Sequence, residues 1–292
     1  MVKCSKYLTK EVCFMKTIVN QTFDQERALY GVDGVALESC KFDGPADGES
    51  ALKEGKNILA KGCYFNLRYP LWHDDGVVIQ DSHMTELCRA ALWYTRDISI
   101  QKSKLHGIKA LRECENIHID GCDVNSVEFG WFCKNVSIKD STIAGEYFAL
   151  KSANLKLDNV NFKGKYSFQY VTDSVIENCN LDTKDAFWHA KNVVVRNCTV
   201  KGEYLAWYAE NLTFENCTII GTQPLCYCKG LKLVNCKMVD CDLAFERSEV
   251  EADIHSHVVS IKNVTSGLVT VDSVGEVIVD EPFAQGTVIV RL

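Results

Sequence analysis

The chain has 292 residues, of which 47% are hydrophobic and 24% charged, and its formal net charge at pH 7 is −7. This composition is typical of an ordinary soluble globular protein. The acidic balance gives no electrostatic reason to expect a nucleic-acid partner, and no apolar run at the N-terminus is long enough for a signal peptide or a membrane span.

The fifteen cysteines limit where the protein works. An odd number of thiols would be hazardous in an oxidising compartment. With no export signal, we expect reduced thiols, a bacterial-type cytoplasmic location and no membrane partner.

The first 33 residues precede a regular repeat, and we expect them to form an N-terminal cap and first strands. A cap keeps the end coil from pairing edge to edge with another molecule. From residue 34 a short apolar strand opens at regular intervals, and from Asp97 onward each interval is nineteen residues. The opening residues are Gly34, Asn57, Gly76, Asp97, Asn116, Asn135, Asn154, Asp173, Asn192, Asn211 and Gly230.

Each repeat contains three short segments with alternating apolar residues, separated by turns. Nineteen residues are too few for a pair of helices, whereas three strands per coil are typical of a parallel β-helix. We therefore predict an all-β, single-domain, right-handed parallel β-helix spanning residues 1–292, with about 19 residues per coil and twelve or thirteen coils. Residues 34–248 form the regular coils, and residues 249–292 form irregular C-terminal coils.

Two sets of equivalent positions, which we call columns, explain a recurring Asn-Cys pair. Asn159, Asn178, Asn197, Asn216 and Asn235 share one column, and we expect their amides to hydrogen-bond from coil to coil. The next column holds Cys40, Cys63, Cys122, Cys179, Cys198, Cys217 and Cys236. We interpret these cysteines as small core residues at a tight corner, and predict no metal and no cofactor, because common zinc and iron–sulfur sites need ligands clustered at one level.

Several segments resemble an uncharacterised bacterial family, a domain of unknown function with the right-handed parallel β-helix of the pectin-lyase-like superfamily. They include ERALYG (residues 26–31), DGESALKE (47–54), RYPLWH (68–73), KALREC (109–114), KYSFQY (165–170), TKDAFWHAKN (183–192), GEYLAWY (202–208), GTQPLCYC (221–228) and DLAFERS (242–248). The resemblance runs from about Phe23 to Ser248. It implies the fold but no catalytic residues, because the family has none established.

The motifs of characterised polygalacturonases in that superfamily are not reproduced. Asp74-Asp75 and His106-Gly107 match two of their four motifs but fall in different parts of their coils. We interpret both pairs as chance.

The third segment of the coil contains all five tryptophans in one column, at positions 72, 93, 131, 188 and 207. The next column holds Glu54, His73, Tyr94, Glu113, Tyr170, His189 and Tyr208 among others. Because successive strand residues face opposite ways, we expect the polar column outside and the tryptophans stacked in the core. The alternative is an exposed aromatic groove that stacks on sugar rings.

The early coils carry charge on the same face. Glu49, Arg68 and Arg89 share a column, and two arginines about 5 Å apart need a compensating anion. Either these residues form a surface ion-pair network, or they bind an anionic ligand such as a uronate carboxylate. The candidate ligand-binding residues are Glu49, Lys53, Glu54, Arg68, Tyr94, Arg112, Tyr170, His189 and Tyr208.

Catalysis is left open by the sequence. A lyase needs a base and a cation for the substrate carboxylate, which makes His73, Arg89, Lys109 and Glu113 the catalytic candidates. Glu54 and Glu113 lie three coils apart, too far for a glycosidase pair. We therefore consider three functions: a lyase or hydrolase acting on an anionic oligosaccharide, a non-catalytic carbohydrate-binding module, and a structural or interaction solenoid. The expected partner is an oligosaccharide or another small anionic ligand, with no prediction of oligomeric state.

Overall fold

The computed structural model describes residues 16–292, so the first fifteen residues of the predicted cap lie outside the described part. Within residues 16–292 the backbone forms strands and turns and no helix. Fifteen strands stack in parallel as one series, sheet A: β1 (Lys16–Val19), β3 (Asp33–Glu38), β5 (Lys56–Lys61), β8 (Asp75–Gln80), β11 (Arg96–Gln101), β14 (Glu115–Asp120), β16 (Lys134–Lys139), β18 (Ala153–Asp158), β20 (Thr172–Glu177), β22 (Lys191–Arg196), β24 (Glu210–Glu215), β26 (Leu231–Val239), β27 (Glu249–Lys262), β28 (Ser266–Ile278) and β29 (Thr287–Val290).

A second parallel series, sheet B, follows each sheet A strand after one turn and joins sheet A at β26. Its strands are β2 (Thr22–Phe23), β4 (Lys41–Phe42), β6 (Tyr64–Phe65), β9 (His83–Met84), β12 (Lys104–Leu105), β15 (Asp123–Asn125), β17 (Thr142–Glu146), β19 (Asn161–Lys165), β21 (Asn180–Asp182), β23 (Thr199–Lys201) and β25 (Thr218–Ile220). A three-stranded sheet C occupies the third segment of the early coils: β7 (Leu71–Trp72), β10 (Leu92–Trp93) and β13 (Leu111–Arg112).

The register of these strands confirms the predicted parallel β-helix. Val195 of β22 pairs with Phe214 of β24, its equivalent nineteen residues later. The solenoid has about 14 coils of roughly 19 residues, slightly more than the twelve or thirteen expected. β1 and β2 already pair with β3 and β4, so the described part of the predicted cap is itself a coil.

The corners between segments explain why asparagine recurs. Asn197 and Asn216, between sheets A and B, have φ of 52° and 54°, in the left-handed region that asparagine tolerates better than most residues. The predicted ladder is confirmed from Asn178 to Asn235, because Asn216 Nδ2 donates to Asn197 Oδ1 at 3.2 Å and Asn235 Nδ2 to Asn216 Oδ1 at 2.8 Å. Asn178 Nδ2 donates to Asp158 Oδ1 instead of Asn159. The strand-opening residues form a second ladder, in which Asn135 Nδ2 donates to Asn116 Oδ1 at 2.9 Å.

The interior between the sheets is a continuous apolar core. All seven cysteines of the corner column are buried, as predicted, and each thiol lies near a main-chain carbonyl. Ser82, Ser103 and Ser141 take the same place in other coils and donate to carbonyl oxygens two residues before them. Apart from Val160, which takes the same place and is buried, the column holds small side chains that can donate a hydrogen bond.

The last strands are longer than those of the regular coils. β27 has 14 residues and β28 has 13, and their pairing shifts register between Ile254 and His257. No helix formed by residues 16–292 has the length and apolar character needed to cross a membrane.

Candidate functional site

The third segment of each coil is where the structure corrects the sequence interpretation. All five tryptophans are half-buried at the surface and are not core residues. The core position belongs to the residue before them, for example Leu71 before Trp72 and Phe187 before Trp188. The expected alternation fails because the residue after each tryptophan has a left-handed backbone, as at His73 (φ 61°) and His189 (φ 57°). Both columns therefore lie outside.

The tryptophans tie neighbouring coils together. Trp72 Nε1 donates to Ala90 O at 2.7 Å, and Trp131 Nε1 donates to Tyr147 O at 2.6 Å. Trp188 Nε1 makes the same bond to Tyr204 O at 2.7 Å. Every indole except that of Trp93 thus donates to a carbonyl group in the next coil, so this column stabilises the stack from its outer surface.

The later half of the outer column is a closed aromatic ladder. His189 lies between Tyr170 and Tyr208, with ring centroids 4.7 Å and 5.1 Å away and interplanar angles of 11° and 9°. Tyr227 continues the stack beyond Tyr208 at 4.8 Å. Because each inner ring has both faces covered by its neighbours, a sugar ring cannot stack on Tyr208 or His189. The predicted extension of a ligand along these residues has no free ring face to use.

Of the two arginines in the early charged column, Arg68 already has carboxylate partners and Arg89 does not. Arg68 contacts Asp47 at 3.0 Å and Glu49 at 3.4 Å. Arg89 instead lies over the ring of Tyr69 and donates to its hydroxyl oxygen at 2.8 Å. Arg68 and Arg89 therefore interact with different partners and not with one shared anion, and neither side chain is buried.

Glu128 neutralises the other two predicted cations. Its Oε2 atom is 3.5 Å from Lys109 Nζ and 3.3 Å from Arg112 Nη1. The Arg112 guanidinium is sandwiched between Trp93 and Trp131, 4.8 Å and 4.7 Å from their ring centroids. With a side-chain exposure of 17%, Arg112 is a packing residue. Glu128 lies nineteen residues after Lys109, so the repeat itself could have revealed it.

The first candidates, Lys53, Glu54 and His73, lie at the start of this face. The Lys53 ammonium is 6.0 Å from the ring of Trp72, and Glu54 and His73 are exposed. His73 stacks on Tyr94 with a centroid distance of 5.0 Å and an angle of 19°. The outer column therefore begins with a short aromatic stack.

This outer stack is interrupted at Glu113 and at Lys151, and Lys151 Nζ fills the second gap, 5.8 Å and 5.6 Å from the ring centroids of Phe132 and Tyr170. Between Tyr94 and Phe132 the column holds Glu113 instead of a ring, which leaves a surface depression of about 360 Å³. We call it the Tyr94–Phe132 slot. Its lining residues are Tyr94, Glu113, Cys114, Glu115, Phe132 and Lys134.

The walls of the slot are aromatic faces. His73 covers one face of Tyr94, Trp93 lies beside the ring with a centroid distance of 5.9 Å and an angle of 27°, and Tyr94 lines the slot with its exposed part. Lys151 Nζ lies over the Phe132 ring, 5.8 Å from its centroid, so the opposite face of Phe132 is toward the slot. Tyr94 and Phe132 are 47% and 39% exposed.

The floor of the slot is polar and held in place. Trp93 Nε1 donates to Glu113 Oε1 at 3.3 Å, and Arg112 Nε is 3.9 Å from the same oxygen. Glu115 and Lys134 stand opposite each other in neighbouring strands of sheet A. The slot thus presents two carboxylates and one ammonium beside two ring faces. Sequence reasoning identified Tyr94 and Glu113 as candidates but missed Phe132, Glu115 and Lys134. It did not predict that the aromatic stack has a gap at Glu113.

Asp74, directly after His73, is 1% exposed. Its Oδ1 atom accepts the Gly55 N–H at 2.7 Å, while Oδ2 has no partner within residues 16–292. Burial raises the pKa of Asp74 to about 8. The carboxyl group is therefore protonated at neutral pH, in a column whose other members include Thr95 and Cys114.

The part of the chain from residue 16 onward contains no cluster of three or more His, Cys, Asp or Glu side chains arranged to hold a metal ion. The remaining histidine cluster lies on sheet B, where His106 Nε2 is 3.0 Å from Asp123 Oδ2 and 5.4 Å separates the His83 and His106 rings.

Comparison with solved structures finds remote likenesses to other elongated proteins. The A-module of the mannuronan C-5 epimerase AlgE4 from Azotobacter vinelandii is 14% identical, with a TM-score of 0.33, over 83% of this chain and 91% of that one. The periplasmic alginate epimerase AlgG (T265N mutant) is 9% identical, with a TM-score of 0.23, over 94% and 72%. Tailspike protein 3 of bacteriophage CBA120 is 11% identical, with a TM-score of 0.26, over 94% and 51%. Likenesses this distant carry no argument about activity.

No curated protein matches the sequence. One family of proteins of unknown function (DUF3737) matches residues 16–290, which is nearly the whole chain. The resemblance to an uncharacterised β-helical family is thereby confirmed, and the chain belongs to the DUF3737 family.

Proposed function

We propose that the protein binds an oligosaccharide, with one sugar ring inserted in the Tyr94–Phe132 slot. The observation that carries this proposal is the open gap at Glu113 in the outer column, because the other gap in that column is filled by the Lys151 ammonium. Aromatic faces pack against the C–H faces of sugars, and an exposed pair of such faces is a feature of binding sites.

The width of the slot suits a saturated ring. Tyr94 and Phe132 are two coils apart, and two strand spacings amount to about 9.6 Å. A ring in van der Waals contact with an aromatic face on each side needs about 8 Å. The depression of about 360 Å³ lies at the lower end of small-ligand sites.

The polar groups of the slot favour a neutral ring over a uronate. The carboxylates of Glu113 and Glu115 accept hydrogen bonds from sugar hydroxyls, and Lys134 donates one. A uronate carboxylate would be repelled by both glutamates. The anionic sugar expected from the sequence therefore has weaker support, since Arg68, Lys109 and Arg112 are already neutralised.

A second candidate function is hydrolysis or lysis of the bound sugar. Two carboxylates in one depression are the minimum for glycosidase chemistry, and Glu113 and Glu115 both line the slot. His73 stacks on Tyr94 and does not line the slot, so the two glutamates carry this candidate.

The test compares substitutions of the two slot walls with a substitution in the closed aromatic ladder. Tyr94→Ala and Phe132→Ala are each expected to weaken oligosaccharide binding by about 10- to 100-fold, because each removes one ring contact of about 1–3 kcal/mol. Tyr208→Ala is the matched control, since its ring faces are covered in the closed ladder. Binding is measured by glycan array and titration calorimetry with neutral and uronate oligosaccharides.

Turnover of the same panel separates binding from catalysis. An enzyme would lose turnover but keep binding in Glu113→Gln. If Tyr208→Ala weakens binding as much as Phe132→Ala, or if no oligosaccharide binds the wild-type protein, the proposal is wrong.

A further inference from the structure

The last coil leaves the apolar core of the solenoid open at one end. Val290 of β29 continues an inward-facing column whose preceding members, Ile254 and Val271, are fully buried, yet Val290 is 46% exposed. Val277 of β28 is likewise 43% exposed, whereas its equivalent one coil earlier, Ile261, is 1% exposed. These valines occupy core positions, and they are exposed because no coil within residues 16–292 follows to cover them.

The same end of the solenoid has a free strand edge. β29 pairs with β28 on one side, and no strand formed by residues 16–292 pairs with its other side. Its sequence, Thr-Val-Ile-Val, contains no charge and no proline, which are the residues that protect edge strands from pairing. By contrast, β1 at the opposite end of sheet A begins with Lys16. The edge of β29 is therefore open to a further strand.

The N-terminal segment of the same molecule is too short to cover this end. β1 and β29 are the first and last of the fifteen stacked strands of sheet A, which places them about 67 Å apart at ~4.8 Å per strand spacing. The fifteen residues that precede β1 span at most about 54 Å when fully extended. Residues 1–15 therefore cannot supply the strand that pairs with β29 of their own chain.

We propose that two copies of this chain associate end to end, with β29 pairing antiparallel to β29 of the partner subunit. A twofold axis through Ile289, perpendicular to sheet A, places each inward-facing Val288 opposite Val290 of the partner subunit. Directly opposite residues share a face of the sheet, so valines meet valines on the core side and the two copies of Ile289 meet on the outer side.

This arrangement covers both exposed features at once. Sheet A becomes continuous through the two subunits, and each open core closes the other. The contact uses the same surface on both molecules, so assembly stops at the dimer.

The charges around β29 permit such a contact. Arg291, next to the strand, contacts Asp253 and Asp272, and Glu281 at the same end pairs with Arg247. Each of these groups is compensated within its own subunit, so the twofold axis brings none of them against an uncompensated like charge.

The first experiment is sedimentation velocity of the full chain over a range of concentrations. We expect the wild type to sediment as a dimer of twice the 32.8 kDa chain. Ile289→Lys places two ammonium groups opposite each other at the axis and should raise the dissociation constant at least about 100-fold. The matched control is Val19→Lys, which puts the same charge on a similarly exposed residue of β1 and should leave the dimer unchanged.

Oxidative cross-linking with diamide tests the register. Opposite residues of an antiparallel pair have Cα atoms about 4.5–5.5 Å apart, which lies within the range of about 4.4–6.8 Å that a disulfide spans. Ile289→Cys should therefore form a covalent dimer that reduction reverses. Val19→Cys, with the same number of thiols, should give no more covalent dimer than the wild type.

Three results in sedimentation would overturn the proposal: a wild type that is monomeric at every concentration, a dimer that persists in Ile289→Lys and dissociates in Val19→Lys, or growth beyond the dimer, which indicates a head-to-tail contact. If Ile289→Lys does not fold, the cross-link decides the question. Covalent capture no greater in Ile289→Cys than in Val19→Cys would exclude the pairing through Ile289.

Discussion

Replacing Asp74 by asparagine should remove a large pH dependence of stability. The Asp74 carboxyl is buried, has no cation beside it, and has a pKa raised to about 8 from a normal 3.8. At 1.36 kcal/mol per pKa unit, this rise corresponds to about 5–6 kcal/mol. Between pH 4 and pH 8 the folded protein holds a proton that the unfolded chain has lost, so the stability contributed by the protonated group is full below pH 4 and declines as the pH rises to 8.

The assay is urea unfolding of the wild type and of Asp74→Asn at pH 5, 7 and 9. Asparagine keeps an acceptor for the Gly55 N–H and cannot ionise, so the variant should gain on the wild type by about 4 kcal/mol between pH 5 and pH 9. The midpoints are compared at constant slope, because a stack of coils need not unfold in one step. Asp75→Asn, which removes an exposed partner of Arg96, is the control and should leave the profile unchanged. A difference between Asp74→Asn and wild type that does not vary with pH would refute the reasoning.

Three further changes test the stack by thermal or urea unfolding. Asn216→Ala should destabilise by about 2–4 kcal/mol, because it loses two ladder hydrogen bonds and strains a left-handed residue; Asn216→Gly, which tolerates that backbone, should cost less. Gly164→Ala should cost at least about 3 kcal/mol, since its Cβ would lie 1.9 Å from a carbonyl oxygen. Gly62→Ala, whose Cβ would meet Ser39 Oγ at an ordinary 3.6 Å, should cost about 1 kcal/mol. Glu128→Gln should destabilise by about 1–3 kcal/mol, because it leaves the half-buried Arg112 without its nearest carboxylate; an unchanged midpoint would contradict that role.

The sequence predicted the fold because a parallel β-helix repeats its constraints. Asn197 and Asn216 recur at the same corner since every coil must turn there with a left-handed residue, and the interval between them reports the coil length directly. Cys198 was correctly interpreted as a core residue for the same reason. Local rules and the global architecture agree at these positions, which is the condition for prediction from one sequence.

The third segment could not be predicted in the same way. Alternation of side chains holds for extended strands, but Tyr170, His189 and Tyr208 have left-handed backbones with φ between 57° and 62°. Bulky residues rarely adopt that conformation, so no local signal indicated that two neighbouring columns would both face outward. The prediction that the cations bind a ligand lost support for a different reason. Pairing of Arg68 with Asp47 depends on side-chain geometry across coils, which spacing along the chain does not specify.

The position of the slot follows from what a repeating structure can offer a ligand. Identical coils present the same surface at every level, so a specific site needs a coil that departs from the repeat. Glu113 interrupts the outer aromatic column, and Asp74, two coils earlier, places a carboxyl group where Thr95 and Cys114 carry small donors. The buried Asp74 carboxyl group lowers the stability of the folded state by several kcal/mol at high pH. Groups that lower stability occur more often at functional sites than elsewhere. Both departures lie in the coils that flank Tyr94, whereas the aromatic column is closed from Tyr170 to Tyr227. A ligand that recognises one level of this solenoid is therefore expected in the early coils, and the later coils serve to hold that level rigid.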